Sequence, residues 1–147
     1  TNATGAAANN TVGVFVGVQY VNSQGQTVQG QYYPGNAAAT SAVAFVVDDP
    51  LAAFKVAVTL SNGAMSTVNQ SIVGTNMAVV QGTGSNTTGD SAVSVYATNA
   101  EGNAAALPVR VVEVVPATAT GANAFTEVVV KFNNHQYNVT TGLDYTA

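Results

Sequence analysis

The sequence predicts an all-β protein, built as a single β-sandwich of jelly-roll type. Three observations carry that expectation. Valine dominates the branched aliphatics, while leucine occurs only at Leu51, Leu60, Leu107 and Leu143 and isoleucine only at Ile72. Valine suits strands and leucine suits helices. Short stretches alternate apolar and polar residues with a period of two, and turn residues interrupt them about every ten residues. No fixed-period repeat is present, so a solenoid is not expected.

The elements follow in order. Residues 1–10, "TNATGAAANN", have nothing to pack and read as an extended leader. The run "TVGVFVGVQY" at 11–20 alternates cleanly, with Val12, Val14, Val16 and Val18 on one side of a strand and Gly13, Phe15, Gly17 and Gln19 on the other. "NSQGQ" at 22–26 is a turn, a second strand lies near 27–33, and Pro34-Gly35 stops it. "SAVAFVV" at 41–47 is a strand closed by Asp48-Asp49-Pro50. In "AFKVAVTL" at 53–60, Phe54, Val56, Val58 and Leu60 share a face, and the Asn-Gly of 61–64 makes a hairpin-type turn. Weaker strands are expected near 66–73 and 76–81. The clearest loop is "GTGSNTTGD" at 82–90, followed by a strand at 91–98. A long strand at 107–115 starts beside Pro108, as an edge or first-residue proline allows. "AFTEVVVKF" and "HQYNVTT" read as two closing strands joined through Asn133-Asn134. The alanine tracts at 6–8, 37–39 and 104–106 sit beside Asn and Gly and read as loops.

Charge narrows the function classes. Only 7% of residues are charged, seven acidic and three basic, where about 25% is usual. Asn, Gln, Ser, Thr and Gly must supply the solubility, and so neutral a surface does not repel its own copies. Lys55, Arg110 and Lys131 are the only cations and are not clustered, which argues against a nucleic-acid partner. No apolar run approaches the roughly 18 residues of a membrane-spanning helix. Cysteine is absent, so no disulfide or thiolate chemistry is available. A chain that starts at Thr1 is expected to be the processed form of an exported protein. Five Asn-X-Ser/Thr sequons, at Asn2, Asn9, Asn69, Asn86 and Asn138, would accept N-linked glycans in a host with the machinery.

Catalytic sets are missing. His135 is the single histidine and is expected to be exposed beside the Asn133-Asn134 turn. No nucleophile elbow and no phosphate-binding glycine loop is present. Asp48-Asp49 could contribute to a Ca²⁺ site, but a strand-ending Asx turn explains the pair more simply. With Trp absent and the tyrosines scattered, neither a glycosidase cleft nor a sugar-stacking platform is indicated, and Tyr32-Tyr33 reads as sheet packing. The chain is therefore not expected to be an enzyme, to hold a metal or to need a cofactor.

What remains is a structural role, and the first strand supplies a mechanism. A terminal, extended, alternating segment can fill the open seam of a neighbouring sheet by strand addition. Val12, Val14, Val16 and Val18, with Phe15 opposite, are the candidate donor-strand residues. Residues 1–20 then form leader plus donor strand, and residues 21–147 the sandwich domain. Burying four valines contributes at most about 6–12 kcal/mol, against association costs of about 4–15 kcal/mol. Ladder hydrogen bonds must supply the rest. A head-to-tail contact of this kind does not close and builds a filament.

On those residues, and on the Val/Ala/Asn/Thr-rich strands and sequons, the chain resembles subunits of archaeal extracellular filaments built by donor-strand complementation. The thread filaments of Sulfolobales are nearest in style and the bundling pili of Pyrobaculum next. The resemblance implies one Ig-like pilin domain of jelly-roll type with an extended N-terminal donor strand. It implies identical subunits in a helical homopolymer at the cell surface, surface glycans, and a role in adhesion to cells or surfaces and in biofilms. The alternatives are a viral capsid or capsid-decoration jelly roll, a secreted carbohydrate-binding or adhesion module, and an enzyme inhibitor.

Overall fold

A computed structural model of the chain describes residues 11–35, 40–60, 63–85, 87–96, 107–119 and 125–138. It is all-β. Among the described residues eight strands run in chain order: β1 (Val14–Val21), β2 (Thr27–Gly30), β3 (Thr40–Val47), β4 (Phe54–Thr59), β5 (Asn76–Gln81), β6 (Val93–Tyr96), β7 (Val109–Val114) and β8 (Glu127–Phe132). Three single turns of 3-10 helix lie at Gln70–Ile72, Pro116–Thr118 and Gln136–Asn138. The strands divide into a three-stranded sheet, β2-β1-β3, and a closed ring, β4-β6-β5-β7-β8.

The ring holds the core. Valine alternation along β7 and β8 sends Val109, Val111, Val114, Val128 and Val130 inward, where they meet Val58 of β4, Met77 of β5 and Val95 of β6. The ring pairs antiparallel at β4/β8, β8/β7, β7/β5 and β5/β6. It closes through a short parallel contact in which Val58 faces Val95 and Thr59 faces Tyr96. Beside that closure the buried Thr59 and Ser94 hydroxyls hydrogen-bond each other at 2.6 Å, so neither polar group is left unpaired in an apolar interior. A bulge in β7 near Val112 lets the strand bend around the core. Lys55 reaches Glu127 at 2.8 Å across β4 and β8, an exposed pair worth at most about 1 kcal/mol.

Several expectations are corrected. Instead of a strand near 66–73, the chain makes a 3-10 turn, because the Asn69 side chain accepts the Ser71 N–H and turns the backbone locally. "HQYNVTT" is not a strand over its described part: His135 makes one bridge and a 3-10 turn follows. Asn133 does not make a hairpin. Its main-chain N–H donates to Pro108 O, and its Nδ2 donates to Asn76 Oδ1 and Leu107 O, each at 2.9 Å. It ties the end of β8 to the beginnings of β5 and β7. β2 stops at Gly30 rather than reaching residue 33. Residues 97–98 and 139–141, the ends of the stretches expected at 91–98 and 135–141, lie outside the described residues.

Stability should follow this division. Val128→Ala, in a fully buried side chain, should lower the unfolding free energy by about 2 kcal/mol in urea titration. Val43→Ala, in β3 and 55% exposed, should change it by less than about 0.5 kcal/mol.

Candidate functional site

The candidate site is the β2-β1-β3 sheet. Its β1–β2 hairpin is set by "NSQGQ". The Asn22 side chain accepts from the Gln24 and Gln26 N–H groups, and Asn22 N–H donates to Gln26 O. Register then runs Val21↔Thr27, Tyr20↔Val28, Gln19↔Gln29 and Val18↔Gly30. On the other side β1 pairs β3 as Gln19↔Val43, Val18↔Ala44, Gly17↔Phe45, Phe15↔Val46 and Val14↔Val47.

That register corrects the expected single valine face. Between Phe15 and Gly17 the ladder slips by one residue, so Val16 is the extra residue of a bulge. Paired residues share a face. Val14 therefore falls on the side of Gly17 and Gln19, with Val43, Phe45 and Val47. Phe15 falls with Val18, Ala44 and Val46. Period-two counting cannot see a bulge, because a bulge is decided by the partner strand. A second slip, at the start of β3, places Ser41 at φ 60°.

Two glycines are required by this packing. Gly13 has φ 153°, and a Cβ there would lie 2.0 Å from Val47 O. Gly17 lies under Phe45, and a Cβ would come within 3.2 Å of Gly30 O and 3.8 Å of the Phe45 ring. An aromatic side chain over a strand glycine restores the contact that the glycine lacks. Both glycines thus serve contacts inside the chain.

One face is partly covered. Val18 is 3% exposed, and the Tyr33 ring stands edge-on against Tyr20 at 5.6 Å. The other face is open. Val43 and Phe45 are 55% and 44% exposed and Val47 is exposed beside them; Phe15 and Val46, at the far end of the partly covered face, are exposed too, as are Val12 and Val16. None of the eight residues of the buried core cluster comes from this sheet. Among the described residues, two links tie it to the rest of the chain. Thr11 pairs in parallel with His135, through Thr11 N–H to Asn134 O at 2.8 Å and Gln136 N–H to Thr11 O at 2.9 Å. Tyr32 packs its ring on Gly89, where a Cβ would fall 2.2 Å from Tyr32 Cδ1.

Residues 1–47 contain no Asp, Glu, Lys or Arg; all ten charged side chains lie between Asp48 and Asp144. Exposed sheets are ordinarily guarded by charges, above all lysine. This signal was present in the sequence, in the positions of the charges rather than their number.

The other expected sites are placed as follows. Val12, Phe15 and Val16 are exposed, Val14 is half-buried and Val18 is buried. The segment they belong to is the central strand of its own chain's sheet, hydrogen-bonded on both sides. In the single chain, then, the expected division after residue 20 does not appear as a break in pairing. Asn69 is exposed; Asn2, Asn9, Asn86 and the side chain of Asn138 lie outside the described residues. Asp49 accepts the Leu51 N–H at 2.8 Å, the Asx turn expected of it. No group of three or more metal-ligating side chains occurs among the described residues.

His135 is corrected outright. It is 1% exposed, not a surface turn residue, because Thr11 bridges over it and the Phe132 and Tyr137 rings pack at 6.2 and 5.7 Å. Its Nδ1 accepts the Tyr137 N–H at 3.2 Å, and Nε2 is buried without a hydrogen-bond partner.

Among the described residues no helix is long and apolar enough to cross a membrane. Comparison with protein-family models, with curated proteins and with solved structures found no match.

The sheet can be tested apart from the ring. Gly13→Val should speed amide exchange across β1 and β3 by at least about tenfold, as a Cβ against Val47 O forces the strands apart, and leave β7 and β8 protected.

Proposed function

We propose that this chain is the structural subunit of an extracellular filament and polymerises head to tail by passing its N-terminal strand into the neighbouring copy. The observation that carries the reading is the division of labour in the fold: the eight-residue core cluster lies in the β4–β8 ring, while β1, with Val18 as its one buried valine, sits in a charge-free sheet whose β3 is fully exposed.

The physical argument is one of equivalence. The slot between β2 and β3 accepts β1 through a specific register, a bulge and two glycine contacts. A copy's β1 carries the same residues and would make the same ladder in the same slot. Exchange therefore preserves the hydrogen bonds of the sheet and alters mainly the 22–26 turn, which must open. That turn holds a few hydrogen bonds, worth about 0.5–1.5 kcal/mol each. Since the core cluster takes no side chain from β1, its packing is kept while the strand is away, and the incoming copy's Thr11 and Val18 restore the cover of His135 and the buried side of the sheet. An exchange that passes from each copy to the next is heterologous, and its product is open-ended.

Few charges and an exposed sequon at Asn69 fit a surface filament that meets other cells or surfaces. Carrying glycans at the sequons, the filament would gain the hydration that its sparse charges do not provide.

A disulfide lock tests the mechanism. Gln19 and Gln29 are directly opposed, and counting in twos from the Asn22–Gln26 bond makes them a non-hydrogen-bonded pair. Such pairs have Cα atoms about 4.5 Å apart, within disulfide range. Gln19→Cys/Gln29→Cys should form fibres visible by electron microscopy when reduced and remain unpolymerised when oxidised. Fibres of equal yield from the oxidised protein would rule out strand passage.

A further inference from the structure

We propose that the free edge of β3 is a pairing site for β3 of a second copy, antiparallel and centred on Ala44. This rests on the reading of the sheet as an assembly surface, but it does not require strand exchange.

Among the described strands β3 pairs with β1 alone, and it lies at the border of the sheet. Its eight residues are twice the length of β2 on the other border. Residues 41–47 are all exposed, and no hydrogen bond from this strand other than its pairing with β1 occurs among the described residues. Proteins blunt such an edge with lysine, proline, a short strand or a covering loop. Here the edge is long and uncharged, with valine or phenylalanine at four of its last five positions, 43–47.

A copy of the same strand is the occupant that these residues suit best. In an antiparallel pairing about Ala44, Val43 stands opposite the copy's Phe45, and Phe45 opposite the copy's Val43. Aromatic and β-branched residues are favourable cross-strand partners. Ala42 and Val46 likewise oppose each other across the other face. The parity is correct, because residues that share a face in one copy meet residues of the same face in the other. The two exposed apolar stripes become continuous, and the product is a six-stranded sheet, β2-β1-β3 and its two-fold mate. Charge agrees. Docking this edge on a β4–β8 ring would set it against a region that carries charged side chains, whereas on its own copy the charge nearest the seam is Asp48, just past β3 and opposite the copy's Thr40 at either end. The contact is two-fold and closed, so by itself it yields a dimer, not a fibre. Edge pairing buries an area at the low end of stable interfaces, so the dimer should be reversible. Having no charged partners, it should be insensitive to salt.

The test uses the full chain, with β1 locked by oxidised Gln19→Cys/Gln29→Cys so that exchange does not interfere. Sedimentation should show a concentration-dependent dimer. Val43→Lys, which sets two ammonium groups beside the seam, should weaken it by at least about tenfold. Should Val43→Lys disturb folding, the naturally cysteine-free chain offers a second measurement in an otherwise unaltered background. Ala44→Cys sits on the two-fold axis in a hydrogen-bonded pair with Cα atoms about 5.5 Å apart and should cross-link to a covalent dimer far faster than Ser23→Cys in the hairpin turn. A locked chain that stays monomeric, a dimer indifferent to Val43→Lys, or an Ala44→Cys chain that cross-links no faster than the Ser23→Cys chain would overturn the proposal. Failure of the filament reading looks different: it is fibre growth from the oxidised lock, whatever the Ala44→Cys chain does.

Discussion

An apolar sheet in water must be covered, and among the described residues of this chain one face of the sheet stays exposed. That constraint organises the rest. Val43, Phe45 and Val47 line an open face of β3, and the only large core among the described residues lies elsewhere, among the valines of β4, β6, β7 and β8 with Met77 of β5. A three-stranded sheet standing free is marginal, because its hydrophobic face needs something to pack on. Thr11 on Asn134 and Gln136, and Tyr32 on Gly89, hold the sheet near the ring without burying that face.

The ring is the opposite case. Its five strands close on themselves, and closure removes edges. The short parallel contact of β4 with β6 makes the closure, with the Thr59–Ser94 hydrogen bond beside it satisfying two buried hydroxyls. Asn133 serves the same end at the other rim by bonding Asn76, Leu107 and Pro108 together. One chain thus contains a region that has solved the edge problem and a region that has left it open. The charges follow the same partition: all ten lie beyond residue 47. Where the fold is closed, charge is tolerated on the outside; where it is open, charge is absent. That correlation is what supports the proposed self-association of the uncovered sheet.

Most strands were legible because alternation is written locally. The runs at 41–47, 53–60 and 76–81 coincide with β3, β4 and β5 to within a residue or so at either end. The segment near 66–73 reads as a strand and is not one, because a single side chain, Asn69, outweighs weak alternation by offering the backbone a turn. The candidate donor strand was legible as a strand but not in its setting. Its bulge at Val16 depends on β3, and its glycines answer to Val47 and Phe45, residues about thirty positions away.

Taken alone, the sequence determined the all-β class, the position of most strands, the poverty of charge and the lack of any thiol chemistry. Each is a local or compositional property, set by side-chain shape and backbone preference over a few residues. The tertiary structure decided which strands meet. It enclosed the core in the ring, placed β1 between β2 and β3, and buried His135, a residue whose neighbours in sequence suggest a surface turn. Pairing and burial depend on contacts between residues far apart in the chain. No window of ten residues holds that information, because the partner that covers a side chain is not in the window.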